Sequence, residues 1–285
     1  MSIGWKSLIT GLLVALISAL IIYIVARIWY ILSRKDKLHI KRLISPKDKD
    51  VSKLVEVYED LIDANSISPQ ADIKRWLDEY EKSRKDPKHT LEEYWLVAKL
   101  ADRIVGFLFF QYYLDSKFLF ISYFGADKSF LKDTRVTSDA ILAEFRKRLN
   151  KELKECRGII YETESADGNL AERARIRKFK SYAKKLGFKA YEIGIDYMTP
   201  KLSIDPKEVY KEEWVTLSYI PLKQVPQNNT LSKDEVVEII SFVYNNVYGD
   251  AFNNDIEKSK KYHEYLSSLV EMYKNNLPDV IQLYE

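Results

Sequence analysis

Several things this sequence lacks narrow it first. A single cysteine, Cys156, excludes an internal disulfide and any zinc site built from several cysteines. The three histidines, His39, His89 and His263, stand far apart, so no metal site is expected. Nine glycines and eight prolines in 285 residues exclude collagen-like or linker-rich architecture. There is no GxGxxG, no P-loop and no GxSxG elbow. Charge of one sign is missing too. Forty-five Lys+Arg against 42 Asp+Glu leave a formal net charge of +3, which gives no support for nucleic-acid binding by bulk charge.

What is present begins with an apolar run. Residues 8–26, LITGLLVALISALIIYIVA, carry no charge, and after Arg27 the apolar character continues to Leu32. About 20 such residues span a hydrocarbon core of roughly 30 Å. Trp5 on one side and Trp29 with Tyr30 on the other stand where interfacial aromatics belong. A cleavable signal peptide fits less well, because the run is too long and no small-x-small site follows it. The expectation is one uncleaved transmembrane helix at about 8–32. Lys6 precedes the run, whereas Arg27, Arg34, Lys35, Lys37, Lys41 and Arg42 follow it. The positive-inside rule then gives a single-pass membrane protein with the bulk of the chain in the cytoplasm.

The whole chain is 46% apolar and 31% charged, a globular balance. Residues 38–43 alternate like a strand, and amphipathic helices follow around Leu54, Val55, Tyr58 and Leu61, then around Ile73, Trp76, Leu77 and Tyr80. Residues 94–99, 104–113, 118–124 and 158–164 read as strands. Thr137 or Ser138 is placed to cap a helix running to about Leu153. A basic helix over 171–186 stops at Gly187, and 188–195 and 214–220 form a last strand pair. After Pro226 the chain reads as helical to Leu283. The fold class is therefore α+β, a mixed α/β domain with a central mixed sheet flanked by helices. The segments are an anchor at 1–35, a catalytic-type domain at 36–225 and a helical C-terminal extension at 226–285.

The helix end Ala183-Lys184-Lys185-Leu186-Gly187-Phe188 resembles the YEKLGF signature of the GNAT N-acetyltransferase superfamily. Glu172-Arg173-Ala174-Arg175-Ile176-Arg177, then Leu-Gly-Phe, then Asp196-Tyr197-Met198-Thr199-Pro200-Lys201-Leu202 is similar to a bacterial subgroup reading ERxRIxFYxxLGF…YxQPxL. Asp234-Glu235…Val243-Tyr244…Val247-Tyr248-Gly249 resembles that subgroup's C-terminal extension. The resemblance covers about 38–270. It implies acetyl-CoA or another acyl-CoA as cosubstrate and an amine, free or on a protein, as acceptor. It also implies a gap between two splayed parallel strands, here 118–125 and 158–164, where main-chain groups bind the pantetheine like an added strand. Phe124 and Gly125 would line that gap, and a backbone amide near Phe124 would polarise the thioester carbonyl.

The sequence departs from the family's Q/R-x-x-G-x-G/A loop. Its place is taken by Asp133-Thr134-Arg135-Val136-Thr137-Ser138. Asp133 repels an anion and Val136 obstructs close backbone approach. Lys132 and Arg135 would supply charge, and Thr137 and Ser138 hydroxyls. The family's proton-donating Tyr is Ala183 here, with Tyr182 one residue earlier, about 100° around a helix. A phenol titrates near 10 in water and suits donation to a thiolate, so Tyr182 and Tyr123 are the candidate acids. Glu162 and Glu164 share one face of a strand by period two and are the candidate bases. A plain reading stands beside each: an aromatic packed in the core, and a charged pair at a strand end.

Other features are blander. The basic helix reads as a solvated face, Cys156 as structural, and Tyr244, Tyr248, Tyr262 and Tyr265 as core or interface. The leading expectation is a membrane-anchored GNAT-like N-acyltransferase. Its rival is a catalytically degenerate GNAT-fold module that binds or scaffolds at the membrane. A third, resting on the anchor alone, is a lipid-modifying acyltransferase.

Overall fold

The computed structural model of the chain describes residues 22–23, 38–62, 70–127, 135–164, 170–200, 214–223, 226–249 and 255–285. Among the described residues ten strands form the sheet: β1 (Leu38–Leu43), β2 (Leu91–Leu100), β3 (Arg103–Tyr113), β4 (Phe118–Ala126), β5 (Gly158–Glu164), β6 (Tyr191–Ile193), β7 (Tyr197–Met198), β8 (Trp214–Pro221), β9 (Thr230–Ser232) and β10 (Val280–Tyr284). Their order is β1-β2-β3-β4-β5-β8-β6-β10-β9, with β7 also paired to β8. The β4–β5 pair is parallel and its neighbours are antiparallel, so the predicted mixed sheet with flanking helices is what forms.

The helices are α1 (Val51–Leu61), α2 (Gln70–Ser83), α3 (Arg135–Lys151), α4 (Leu170–Leu186), α5 (Lys233–Phe242) and α6 (Ile256–Asn276). Alternation along the strands assigns them to two faces. Leu96, Phe110, Leu119, Ile159 and Tyr161 point to one face and pack with Ile141, Phe145 and Leu186 of α3 and α4. On the other face Trp95, Val97, Phe107 and Phe109 pack under α1 and α2, with Trp95 and Phe109 stacked at 4.0 Å. Phe118, Phe120 and Ile160 pack under α5 and α6 on that same face. Gly187, with φ of 86°, ends α4 as expected, since that conformation suits glycine.

Three details differ from the sequence reading. Helix α3 starts at Arg135, so Thr137 and Ser138 lie within its first turn. Strand β8 pairs with β5 along its whole length as well as with β6. The C-terminal extension is not wholly helical: Ile281 and Leu283 are buried between exposed Val280, Gln282 and Tyr284, and this period of two makes β10, which pairs with β6. The predicted anchor at 8–32 lies, except for residues 22–23, outside the described residues. Among the described residues no helix is long and apolar enough to cross a membrane.

A buried charge network fixes α1 to the sheet. Asp50, fully buried, accepts from Lys99 Nζ at 2.7 Å and from Lys41 Nζ at 3.0 Å. Burial pushes its carboxyl up, but the hydrogen bonds from the two lysines outweigh this and hold it below its ordinary value. Removing one partner leaves the other charged and dry. Asp50→Asn is therefore expected to cost roughly 3 kcal/mol in urea unfolding, whereas Asp50→Asn with Lys99→Met recovers most of it. A depressed folded value gives stability that is complete above the unfolded value and lost as pH falls through the folded one. Wild-type stability should then fall below about pH 4, and less steeply in the double variant.

Candidate functional site

Strands β4 and β5 pair over four residues each: Phe118 with Gly158, Leu119 with Ile159, Phe120 with Ile160 and Ile121 with Tyr161. Beyond that point each keeps only its other neighbour, β4 on β3 as far as Ala126 and β5 on β8 as far as Glu164. The divergence coincides with a bulge: Phe110 faces Ile121 and Phe109 faces Tyr123, which leaves Ser122 as the extra residue. The β4 edge from Ser122 onward and the β5 edge from Glu162 onward thus face a gap with no strand partner between them among the described residues.

Glu162 stands at the start of this gap, on the α5–α6 face. Tyr197 of β7 donates to its Oε1 at 2.5 Å, and Tyr248 donates to its Oε2 at 2.6 Å. Tyr248 closes a π-helical turn, Val243–Tyr248, that continues α5. Burial pushes the Glu162 carboxyl above its ordinary value, and the two phenols pull it part of the way back. Both phenols are raised in turn, by burial first and then by the Glu162 charge. The support extends further: Tyr244 donates to Met198 O at 2.7 Å, and Met198 N donates to Tyr273 Oη at 3.0 Å. The arrangement is a half-buried carboxylate whose value is raised, held by hydroxyls from two distant segments. Glu164 follows on the same face by period two, but its side chain lies outside the described residues.

Tyr123 of β4 packs on this face too, edge-on to Tyr58 of α1 at 5.1 Å. It is close enough to Tyr248 to contribute to that residue's raised value. Tyr182 is on the opposite face. It is buried in the α3–α4 core beside Phe124, with ring centroids 5.0 Å apart, and its hydroxyl lies 3.5 Å from Ser138 Oγ. Ala183 is buried there as well, so α4 turns both positions inward and the one-residue shift does not carry the phenol to solvent.

The first turn of α3 is arranged differently from an exposed hydroxyl cradle. Val136 is exposed, while Thr137 and Ser138 are buried. A Cβ at Gly106 would meet Thr137 Cγ2 at 2.8 Å, so the turn rests directly on β3, which only glycine permits there. The Thr137 hydroxyl and that of Thr163, on the same face of β5 as Tyr161, are buried without a hydrogen-bond partner among the described residues. Gly125 lies under Leu61 of α1, where an added Cβ would come within 3.1 Å. Lys132 and the side chain of Arg135 lie outside the described residues. Among the described residues no group of three or more His, Cys, Asp or Glu is placed to hold a metal.

Sequence reasoning reached Glu162 and Tyr123 but missed the clamp. In the sequence Tyr197 stands out only as part of a motif, and Tyr248 only as part of another and as an aromatic at helical spacing. No local pattern reports that two phenols 35 and 86 residues from Glu162 meet on its carboxylate.

No family model matches this sequence, and no curated protein does. Several solved structures are similar in shape. A GNAT-family acetyltransferase from Streptococcus pneumoniae has a TM-score of 0.42 at 14% identity, covering 65% of this chain and 99% of its own. The ribosomal-protein-S18-alanine N-acetyltransferase from Escherichia coli has a TM-score of 0.40 at 12% identity, covering 67% of this chain and 97% of its own. The catalytic domain of a Tetrahymena histone acetyltransferase, solved with coenzyme A, has a TM-score of 0.37 at 13% identity, covering 67% of this chain and 96% of its own. At these values the functional reading has to rest on the chain's own geometry.

Proposed function

We propose that this chain is a GNAT-like N-acyltransferase, tethered to a membrane by residues 8–32, that moves an acetyl or longer acyl group from a CoA thioester to an amine. The observation that carries the reading is the β4–β5 gap, with a raised carboxylate at Glu162 on one face and a phenol at Tyr182 on the other. The open strand edges suit an amide-bearing chain such as pantetheine, bound as an added strand. The unsatisfied hydroxyls of Thr137 and Thr163 on the α3–α4 face offer that ligand further polar partners.

In this reading the acceptor approaches from the Tyr123–Glu162 face. Its nitrogen attacks the thioester carbonyl carbon, the N–C bond forms and the C–S bond breaks. Glu162 takes the proton that the amine must lose, a task for which a raised carboxylate is suited. Tyr182 supplies a proton to the departing sulfur, and the main chain near Phe124 faces the developing oxyanion. Tyr197 and Tyr248 hold Glu162 in place.

A second reading, a binding module without turnover, is favoured by one specific observation. The Thr137 and Ser138 hydroxyls are turned inward, which leaves exposed Val136 where the family presents glycine.

Calorimetry with acetyl-CoA separates the two. The acyltransferase reading expects micromolar binding, weakened at least about tenfold by Val136→Glu through like-charge repulsion. No binding of acetyl-CoA, longer acyl-CoAs or free CoA by the folded chain would remove it, and tight binding without turnover would favour the module. With an acceptor in hand, Glu162→Gln is expected to lower kcat by about 10²–10⁴-fold and to flatten the acid limb of kcat/KM. The phenols stabilise the charged carboxylate, so Tyr248→Phe should raise the Glu162 value further. That shifts the same limb to higher pH without abolishing turnover.

A further inference from the structure

The strand directions place the start of the described domain at the open end of the gap. Leu38, first in β1, pairs with Leu100, the last residue of β2 before the turn into Arg103. Strand β3 then places Gly106 opposite Ala126, at the open end of β4. Helix α4 begins at the same end, because it follows Glu164, where β5 stops. Six residues from Leu32 to Leu38 reach at most about 20 Å. From β1 to the middle of the gap is roughly 17 Å at the usual strand spacing. An apolar segment seated in a bilayer therefore holds this end of the domain, and not the other, close to the lipid.

The chemistry exposed at this end matches a lipid surface. In the sequence Arg34, Lys35 and Lys37 stand between the apolar run and β1. Arg173, Arg175, Arg177 and Lys178 are exposed on the first half of α4. Trp214, 56% exposed, opens β8 one residue before the partner of Glu164, an aromatic of the kind that favours headgroup depth. Clustered basic residues beside a membrane segment are drawn to anionic headgroups.

We propose that this end of the domain docks on the anionic headgroups of the membrane that holds residues 8–32, so that the β4–β5 gap opens toward the bilayer surface. An acceptor then reaches Glu162 along that surface rather than from bulk solvent. The proposal rests on the membrane tether put forward above.

The test uses the full-length chain reconstituted in phosphatidylcholine vesicles with or without phosphatidylglycerol. Hydrogen exchange is followed over residues 170–178, and over 144–151 at the far end of α3 as a control. On phosphatidylglycerol vesicles, with lipid at about ten times its dissociation constant, exchange over 170–178 should slow about tenfold. The slowing should revert at high salt, be absent in Arg173→Glu with Arg177→Glu, and spare 144–151 in both proteins. A chain that floats with the vesicles but exchanges equally on both compositions overturns the docking and leaves the tether standing. Equal slowing at both ends overturns the orientation. A chain that does not float with vesicles at all overturns the tether, and the docking with it.

Discussion

The parallel contact between β4 and β5 lasts four residues and then stops, and the rest of the site follows from that limit. Neither strand loses order when they part, because β3 continues to hold one and β8 the other. The cost is confined to a row of main-chain groups that face each other across a gap. A bulge at Ser122 turns β4 away at that level, so the opening is built into the register of the β3–β4 pair. Helices α3 and α4 follow β4 and β5 on one face, and α1 with the C-terminal helices closes the other. Whatever enters the gap is thus met by different chemistry on its two sides.

On the α5–α6 side that chemistry is tyrosine. A phenol brings a large apolar body and a polar tip, so it fills a core and still satisfies a buried acceptor. Glu162 exploits this. A carboxylate partly withdrawn from water gains from donors, and lysine or arginine would have pulled its value down much further than two neutral hydroxyls do. The C-terminal segment takes part directly: Tyr248 holds the carboxylate, while Tyr244 and Tyr273 hold both main-chain groups of Met198, beside Tyr197. Strand β10 joins the same sheet, so the extension and the gap are mechanically one object.

Much of this frame was legible in the sequence. The alternation through 94–113 with a tight turn at Ala101-Asp102 gave the β2–β3 pair, and Gly187 gave the end of α4. What was not legible depends on contacts distant in sequence. The partner of β5 on its far side is β8, some fifty residues on, and nothing local names it. Asp50 and Lys99 each look like ordinary surface charges until the fold buries them together. The five residues of β10 are too short for periodicity to separate from the helix before them. Tyr182 shows the limit of counting degrees around a helix, since the inward face of α4 is broad enough to take two consecutive residues.

The lone thiol has a practical consequence. Cys156 is 1% exposed, donates weakly to Gly158 O, and is pushed up to about 12 by burial, so almost none of it is thiolate near neutrality. The natural chain is therefore already a silent background for maleimide chemistry. A single cysteine placed at the rim of the gap would carry the whole spin or fluorescent label, with no need to re-engineer the core around position 156.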